Sequence, residues 1–170
     1  GGTCDSVFLL NNTFVGGYYG LYFYGSGTGA GGYNTNIHVD SNLITGAFYM
    51  SHYIYYTDLT SFSHNKIKVT TNNRNHNCYF YYTNHHHTVS NSWDFTESNV
   101  LYPYIYYYYP HRYNYGTSTD GYIVNNEVVM KAESEGVLTD CALLLFRGVR
   151  RTIPLTTLTT PDNMQCLADR

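Results

Sequence analysis

The sequence predicts an all-β protein, a parallel β-helix solenoid of about five coils with variable loops. Three observations carry that prediction. An apolar-polar block centred on asparagine returns along the chain, a tyrosine-rich strand follows it, and long stretches of helical periodicity are absent.

The block first reads Leu-Leu-Asn-Asn-Thr-Phe-Val-Gly over residues 9–16, and then Val-Asp-Ser-Asn-Leu-Ile-Thr-Gly over 39–46. It returns as Phe-Ser-His-Asn-Lys-Ile-Lys-Val over 62–69, as Val-Ser-Asn-Ser-Trp-Asp-Phe-Thr over 89–96, and as Ile-Val-Asn-Asn-Glu-Val-Val-Met over 123–130. Aligned on their apolar first residues, the blocks place Asn12, Asn42, Asn65, Ser92 and Asn126 in one column. The fourth copy then runs out of phase, with Trp93 and Phe95 where the others alternate differently. Column steps of 30, 23, 27 and 34 residues suit coils that hold strand register while loops vary. Two short strands per repeat, bounded by Gly, Asn, Thr and Asp, are expected.

The second strand of each repeat is aromatic: Leu21-Tyr22-Phe23-Tyr24, Tyr53-Ile54-Tyr55-Tyr56, Tyr79-Phe80-Tyr81-Tyr82 and Tyr104-Ile105-Tyr106-Tyr107-Tyr108-Tyr109. Side chains alternate across a strand, so registering the runs on Leu21, Ile54, Phe80 and Ile105 sends these inward, followed by Phe23, Tyr56, Tyr82 and Tyr107. The outward row becomes Tyr22, Tyr55, Tyr81 and Tyr106, flanked by Tyr53, Tyr79 and Tyr104 on one side and by Tyr24, Thr57, Thr83 and Tyr108 on the other. Stacked about 4.8 Å apart, these would form a grid of phenols.

The pattern apolar-x-x-Asn-x-apolar, followed by Gly20-Leu21-Tyr22-Phe23-Tyr24-Gly25, resembles the right-handed parallel β-helix repeats of the pectate-lyase-like superfamily over about residues 7–146. The resemblance implies a right-handed coil. It also implies a ladder of inward-turned asparagines at one corner, carried here by Asn12, Asn42, Asn65 and Asn126. Relatives of this kind often cleave acidic polysaccharides with clustered carboxylates, calcium and a basic residue. Asp40, Asp58, Asp94 and Glu97 are scattered instead, and the superfamily's catalytic motifs have no matching positions. No catalytic residue, metal ligand or cofactor is therefore assigned, and the balance weighs against an enzyme.

The connecting segments add little chemistry. Gly27-Thr28-Gly29-Ala30-Gly31-Gly32 fits GxGxxG, but the chain after it leads straight into another strand, so no helix N-terminus meets a phosphate. Asn84-His85-His86-His87 is expected to be a solvated turn, since consecutive histidines cannot all face one metal. Cysteines at 4, 78, 141 and 166 show no zinc spacing, which leaves free thiols or a disulfide between tail and body. Residues 1–146 are assigned to the coils and 147–170, where the repeat character is lost, to a C-terminal cap or extension. Gly1-Gly2-Thr3-Cys4 has no signal-peptide character and reads as a mature or excised start.

Composition narrows the partners. Only 12% of residues are charged, the net charge is -3 and no basic run exists, so nucleic acid is excluded as a partner. No apolar stretch is long enough to span a membrane. With 21 tyrosines among 170 residues, the phenol grid is the candidate binding face: Tyr22, Tyr53, Tyr55, Tyr79, Tyr81, Tyr104, Tyr106 and Tyr108. Such a grid can be a stiffening ladder, a carbohydrate-binding face or a protein-protein surface. The expected function is an extracellular or cell-surface structural or adhesive module that associates with itself, head-to-tail or laterally. A polysaccharide-binding or polysaccharide-degrading domain is the alternative.

Overall fold

Short β-branched and aromatic stretches with inward apolar residues form β1 (Asp5–Leu10), β2 (Thr13–Val15), β3 (Tyr19–Tyr24), β4 (Asn34–Asp40), β5 (Leu43–Thr45), β6 (Met50–Ser63) and β7 (Lys66–Lys68). They continue as β8 (Asn77–Val89), β9 (Ser92–Asp94), β10 (Tyr104–Tyr108), β11 (Tyr122–Val124), β12 (Glu127–Val129) and β13 (Leu143–Arg147). The structure is a computed structural model and describes residues 3–27, 32–71, 73, 77–98, 104–108, 122–129 and 143–147. Among these residues there is no helix, and therefore none long and apolar enough to cross a membrane.

Every strand pair is parallel, so the chain winds as a β-solenoid. Each turn has three faces where the sequence predicted two strands. One face stacks β2, β5, β7, β9 and β12. On a second, β1 pairs β4, which pairs the C-terminal arm of β6, then that of β8, then β11. On the third, β3 pairs the N-terminal arm of β6, followed by that of β8, by β10 and by β13. The short-strand sheet is five strands deep, one strand to a turn. Of the C-terminal cap or extension expected over 147–170, all but Arg147 lies outside the described residues, as do Cys141 and Cys166. Cys4 and Cys78 are free thiols.

Corners are made by residues in the left-handed region. Asn11, Ser41, His64, Ser90 and Asn125 have φ between 54° and 58°, and each stands immediately before a column asparagine. A non-glycine residue there costs about 1–2 kcal/mol, less for asparagine. Hydrogen bonds from the next residue offset that cost. Asn12 N–H donates to Asn42 Oδ1 at 2.8 Å, Asn42 N–H to Asn65 Oδ1 at 2.9 Å, Asn65 N–H to Asn91 Oδ1 at 3.0 Å, and Asn91 N–H to Asn126 Oδ1 at 2.9 Å. Each amide nitrogen reaches back to a carbonyl of the preceding turn: Asn42 to Leu9, Asn65 to Val39, Asn91 to Phe62 and Asn126 to Thr88. The fourth member is thus Asn91, not Ser92. With that one-residue correction Trp93 falls in phase with Ile44, Ile67 and Val128 on the core side of the short-strand sheet.

A second polar corner went unpredicted. Cys4 N–H donates to Asn34 Oδ1 at 3.0 Å, and Asn34 Nδ2 donates to Thr57 Oγ1 at 3.0 Å, with Thr83 in register below. Thr57 and Thr83 are fully buried, where alternation placed them outward. The cause is Tyr56 and Tyr82, whose φ values of 46° and 50° turn the chain and invert the alternation. These two tyrosines, predicted inward, are only half-buried. The inward columns are Leu21, His52, Cys78 and Ile105, then Phe23, Ile54 and Phe80. Burial pushes the Cys78 thiol up to about 12. The histidine run belongs to β8 rather than to a turn.

Candidate functional site: the tyrosine face

The third face carries the phenols. Its rings can stack because each neighbouring strand lies one turn away in parallel register, near the ordinary strand spacing of about 4.8 Å. Gly20 allows that closeness: a Cβ there would sit 2.5 Å from the Ser51 carbonyl oxygen and 2.6 Å from Ile44 Cγ2.

Register differs from the sequence reading at both ends. Tyr22 pairs Tyr53 and Tyr24 pairs Tyr55, two residues away from the predicted match of Tyr22 with Tyr55. Tyr55 pairs Tyr81 as predicted, while Tyr106 pairs Tyr79 rather than Tyr81. One column therefore holds Tyr22, Tyr53, Tyr79 and Tyr106, and the next holds Tyr24, Tyr55 and Tyr81, with Tyr108 in backbone register below. Tyr104 pairs Asn77 through the backbone. The side chains of Tyr104 and Tyr108 lie outside the described atoms.

Ring geometry decides what this face offers. Tyr24 and Tyr55 stack at 4.8 Å, Tyr55 and Tyr81 at 4.9 Å, and Tyr22 and Tyr53 at 5.5 Å. Tyr53 and Tyr79 are tilted at 6.2 Å, and Tyr79 meets Tyr106 edge to face at 5.2 Å. Across the columns, Tyr53 and Tyr55 lie 5.9 Å apart at 16°. Flanking stacks that the sequence reading left out, Tyr18 on Tyr49 at 4.9 Å and Tyr56 on Tyr82 at 5.2 Å, widen the grid. Tyr55 is thus covered on both faces, by Tyr24 and by Tyr81. Tyr22 and Tyr24, in the first described turn, are about half exposed, at 52% and 51%.

The phenols share one environment. Burial, reinforced by Tyr22, Tyr24, Tyr19 and Tyr81, pushes Tyr53 up to about 12. Tyr55 is raised as well, first by burial and then by its hydrogen bond to the Tyr56 hydroxyl at 3.3 Å. Tyr53 and Tyr55 therefore keep neutral hydroxyls, able to donate and accept hydrogen bonds, at physiological pH.

One further polar cluster sits on the second face. Ser61 Oγ lies 3.0 Å from His38 Nδ1 and donates to Asp40, whose other oxygen accepts from Ser63 N–H at 2.9 Å. In a nucleophilic triad the carboxylate orients the histidine; here it binds the serine, and Phe8 covers the imidazole at 4.6 Å. These bonds tie adjacent turns together. Among the described residues no three His, Cys, Asp or Glu side chains are grouped to hold a metal ion.

Comparison with protein-family models, with curated proteins and with solved structures finds no match. The parallel β-solenoid and its tyrosine clusters are therefore read from this molecule alone.

Proposed function

We propose that the chain is a structural module of an extracellular or cell-surface assembly, one that associates with its own kind. The observation that supports this most is the mutual covering of the tyrosine rings. Rings that pack on one another from turn to turn, stacked along Tyr24, Tyr55 and Tyr81 and tilted or edge to face from Tyr53 to Tyr106, stiffen the sheet, each pair contributing roughly 0.5–1.5 kcal/mol. Low charge and exposed large apolar side chains, Phe8, Val15 and Phe48 among them, favour association over a dispersed monomer. Kinship with the pectate-lyase-like superfamily is part of the proposal, supported by the asparagine corner ladder rather than by any shared catalytic residue.

Sedimentation velocity across a hundred-fold concentration range, with electron microscopy of the same samples, tests the reading. Association that grows with concentration is expected, and a monomer throughout would refute it. Carbohydrate binding has one observation in its favour, the half-exposed rings of Tyr22 and Tyr24. Glycan-array binding lost in Tyr22→Ala and Tyr24→Ala would establish that alternative; an empty array would dismiss it.

A further inference from the structure

We propose that the tyrosine face is a site of covalent modification by oxidative phenol coupling: a peroxidase turning over hydrogen peroxide joins Tyr55 to Tyr81, or to Tyr24, by a carbon–carbon bond. The bond forms within one copy, so this proposal stands or falls independently of the self-association proposed above.

The chemistry needs two phenols held side by side. Loss of one electron and one proton turns a phenol into a neutral radical, whose unpaired electron is shared between the oxygen and the two ring carbons beside it. Two such radicals join carbon to carbon at those positions. In each ring the hydrogen on the newly bonded carbon then moves to the oxygen, and the ring is aromatic again. Two electrons and two protons have left the phenols, and hydrogen peroxide takes them up to become two waters. Free in solution the two radicals must find one another; on a fold that already holds them together, that encounter is built in.

Tyr55 and Tyr81 are directly paired residues of adjacent parallel strands, and so are Tyr24 and Tyr55. Their ring centroids lie 4.9 and 4.8 Å apart, with the rings inclined by only 28° and 26°. Closing one edge of such a stack brings the carbons beside the hydroxyls together without moving either strand. The neighbouring column is less suited. Tyr22 and Tyr53 stack at the wider 5.5 Å, Tyr53 and Tyr79 are inclined by 54° at 6.2 Å, and Tyr79 meets Tyr106 at 71°. The Tyr55 hydroxyl donates to the Tyr56 hydroxyl at 3.3 Å, which gives its proton a partner as the electron leaves. Tyr55 and Tyr81 are half-buried, so an oxidant at the surface reaches them. Cys78 and Trp93, which would end a tyrosyl radical by giving up an electron, are fully buried in the core. A bond from Tyr55 to Tyr81 ties one turn to the next and restrains the unfolded chain. Oxidation would thereby harden the solenoid.

The experiment treats the full chain, below the concentration of assembly, with a haem peroxidase and hydrogen peroxide. Dityrosine fluorescence gives the yield, and peptide mapping by mass spectrometry locates the bonds. Tyr55→Phe keeps the stacked ring and removes the hydroxyl; Tyr79→Phe does the same in the other column. We expect 55–81 and 24–55 bonds to dominate, with a yield per chain that is unchanged on dilution. Tyr55→Phe should lower the yield about five-fold, and Tyr79→Phe should change it by less than about two-fold. Coupled chains should also unfold at a higher urea concentration than untreated ones. Bonds found only between copies, a yield that falls on dilution, or one indifferent to Tyr55→Phe would overturn the proposal, as would the absence of dityrosine. Sedimentation of the untreated chain reports self-association separately.

Discussion

Asn65→Ala perturbs the middle of the ladder and has a magnitude that can be worked out bond by bond. Asn65 Oδ1 accepts from Asn42 N–H at 2.9 Å and from Asn42 Nδ2 at 3.1 Å, and its Nδ2 donates to Val39 at 2.8 Å and to Asn91 Oδ1 at 3.0 Å. After truncation Asn42 Nδ2 keeps Leu9, and Asn91 Oδ1 keeps the Asn65 backbone N–H. Asn42 N–H loses its acceptor and the Val39 carbonyl loses a donor, both in the interior. Each such loss costs roughly 1–3 kcal/mol, about 4 kcal/mol for the pair. Against a total stability of roughly 5–15 kcal/mol that is a large shift in the urea midpoint. Asn12→Ala is the internal control. Its Nδ2 donates to the Leu10 carbonyl at an exposed position and to Asn42 Oδ1, which keeps the residue-12 backbone N–H, so no buried group is left unpaired and the loss stays under about 1 kcal/mol. Urea unfolding followed by far-ultraviolet circular dichroism and by Trp93 fluorescence, at concentrations below assembly, compares the two. Losses equal within about 0.5 kcal/mol would refute the ladder as a source of stability.

Three more outcomes follow from the same geometry. Tyr55→Ala removes stacking on Tyr24 and Tyr81 and should cost about 2 kcal/mol in urea unfolding, clearly more than Tyr22→Ala, whose ring stacks against one turn only. Gly20→Ala drives a methyl group into the Ser51 carbonyl and Ile44, and should lower stability by about 2 kcal/mol by the same assay; a neutral effect would show the sheet to be looser than described. Tyr53 is raised from 10.0 to about 12, so the unfolded phenol loses its proton first; stability is complete below pH 10 and falls as pH rises toward 12. The phenolate absorbance lost in Tyr53→Phe should belong to a step near pH 12, and a step at the ordinary phenol value of 10.0 would contradict the stacked face.

The solenoid was legible in the sequence because its corner demands one residue type. A carboxamide both accepts from one turn and donates to another, and no other side chain of that length does so. Asn12, Asn42, Asn65 and Asn126 therefore stood out at irregular spacing. The fourth member escaped because the inward position ahead of it, apolar in Leu9, Val39 and Phe62, is Thr88 in the fourth turn. Seeding the block on the apolar Val89 moved the column from Asn91 to Ser92. Phenol register slipped for a similar reason. Leu21 looks like the partner of Ile54, yet its neighbour is His52, which is buried against Phe62 and Phe80. Runs of identical tyrosines contain nothing to resist a two-residue shift. The inverted alternation after Tyr56 and Tyr82 was invisible because tyrosine is an unusual choice for a left-handed corner.

Register of the tyrosine face is the claim on which the stacked rings depend. Paired cysteines measure it directly, since a disulfide needs Cα atoms closer than about 7 Å. Tyr22→Cys with Tyr53→Cys places the thiols on directly opposed residues of adjacent strands, whereas Tyr22→Cys with Tyr55→Cys is diagonal by two residues. Under mild oxidation, peptide mapping by mass spectrometry should find the 22–53 disulfide in most molecules and the 22–55 disulfide in few. The reverse result would contradict the register and, with it, the stacked tyrosine columns.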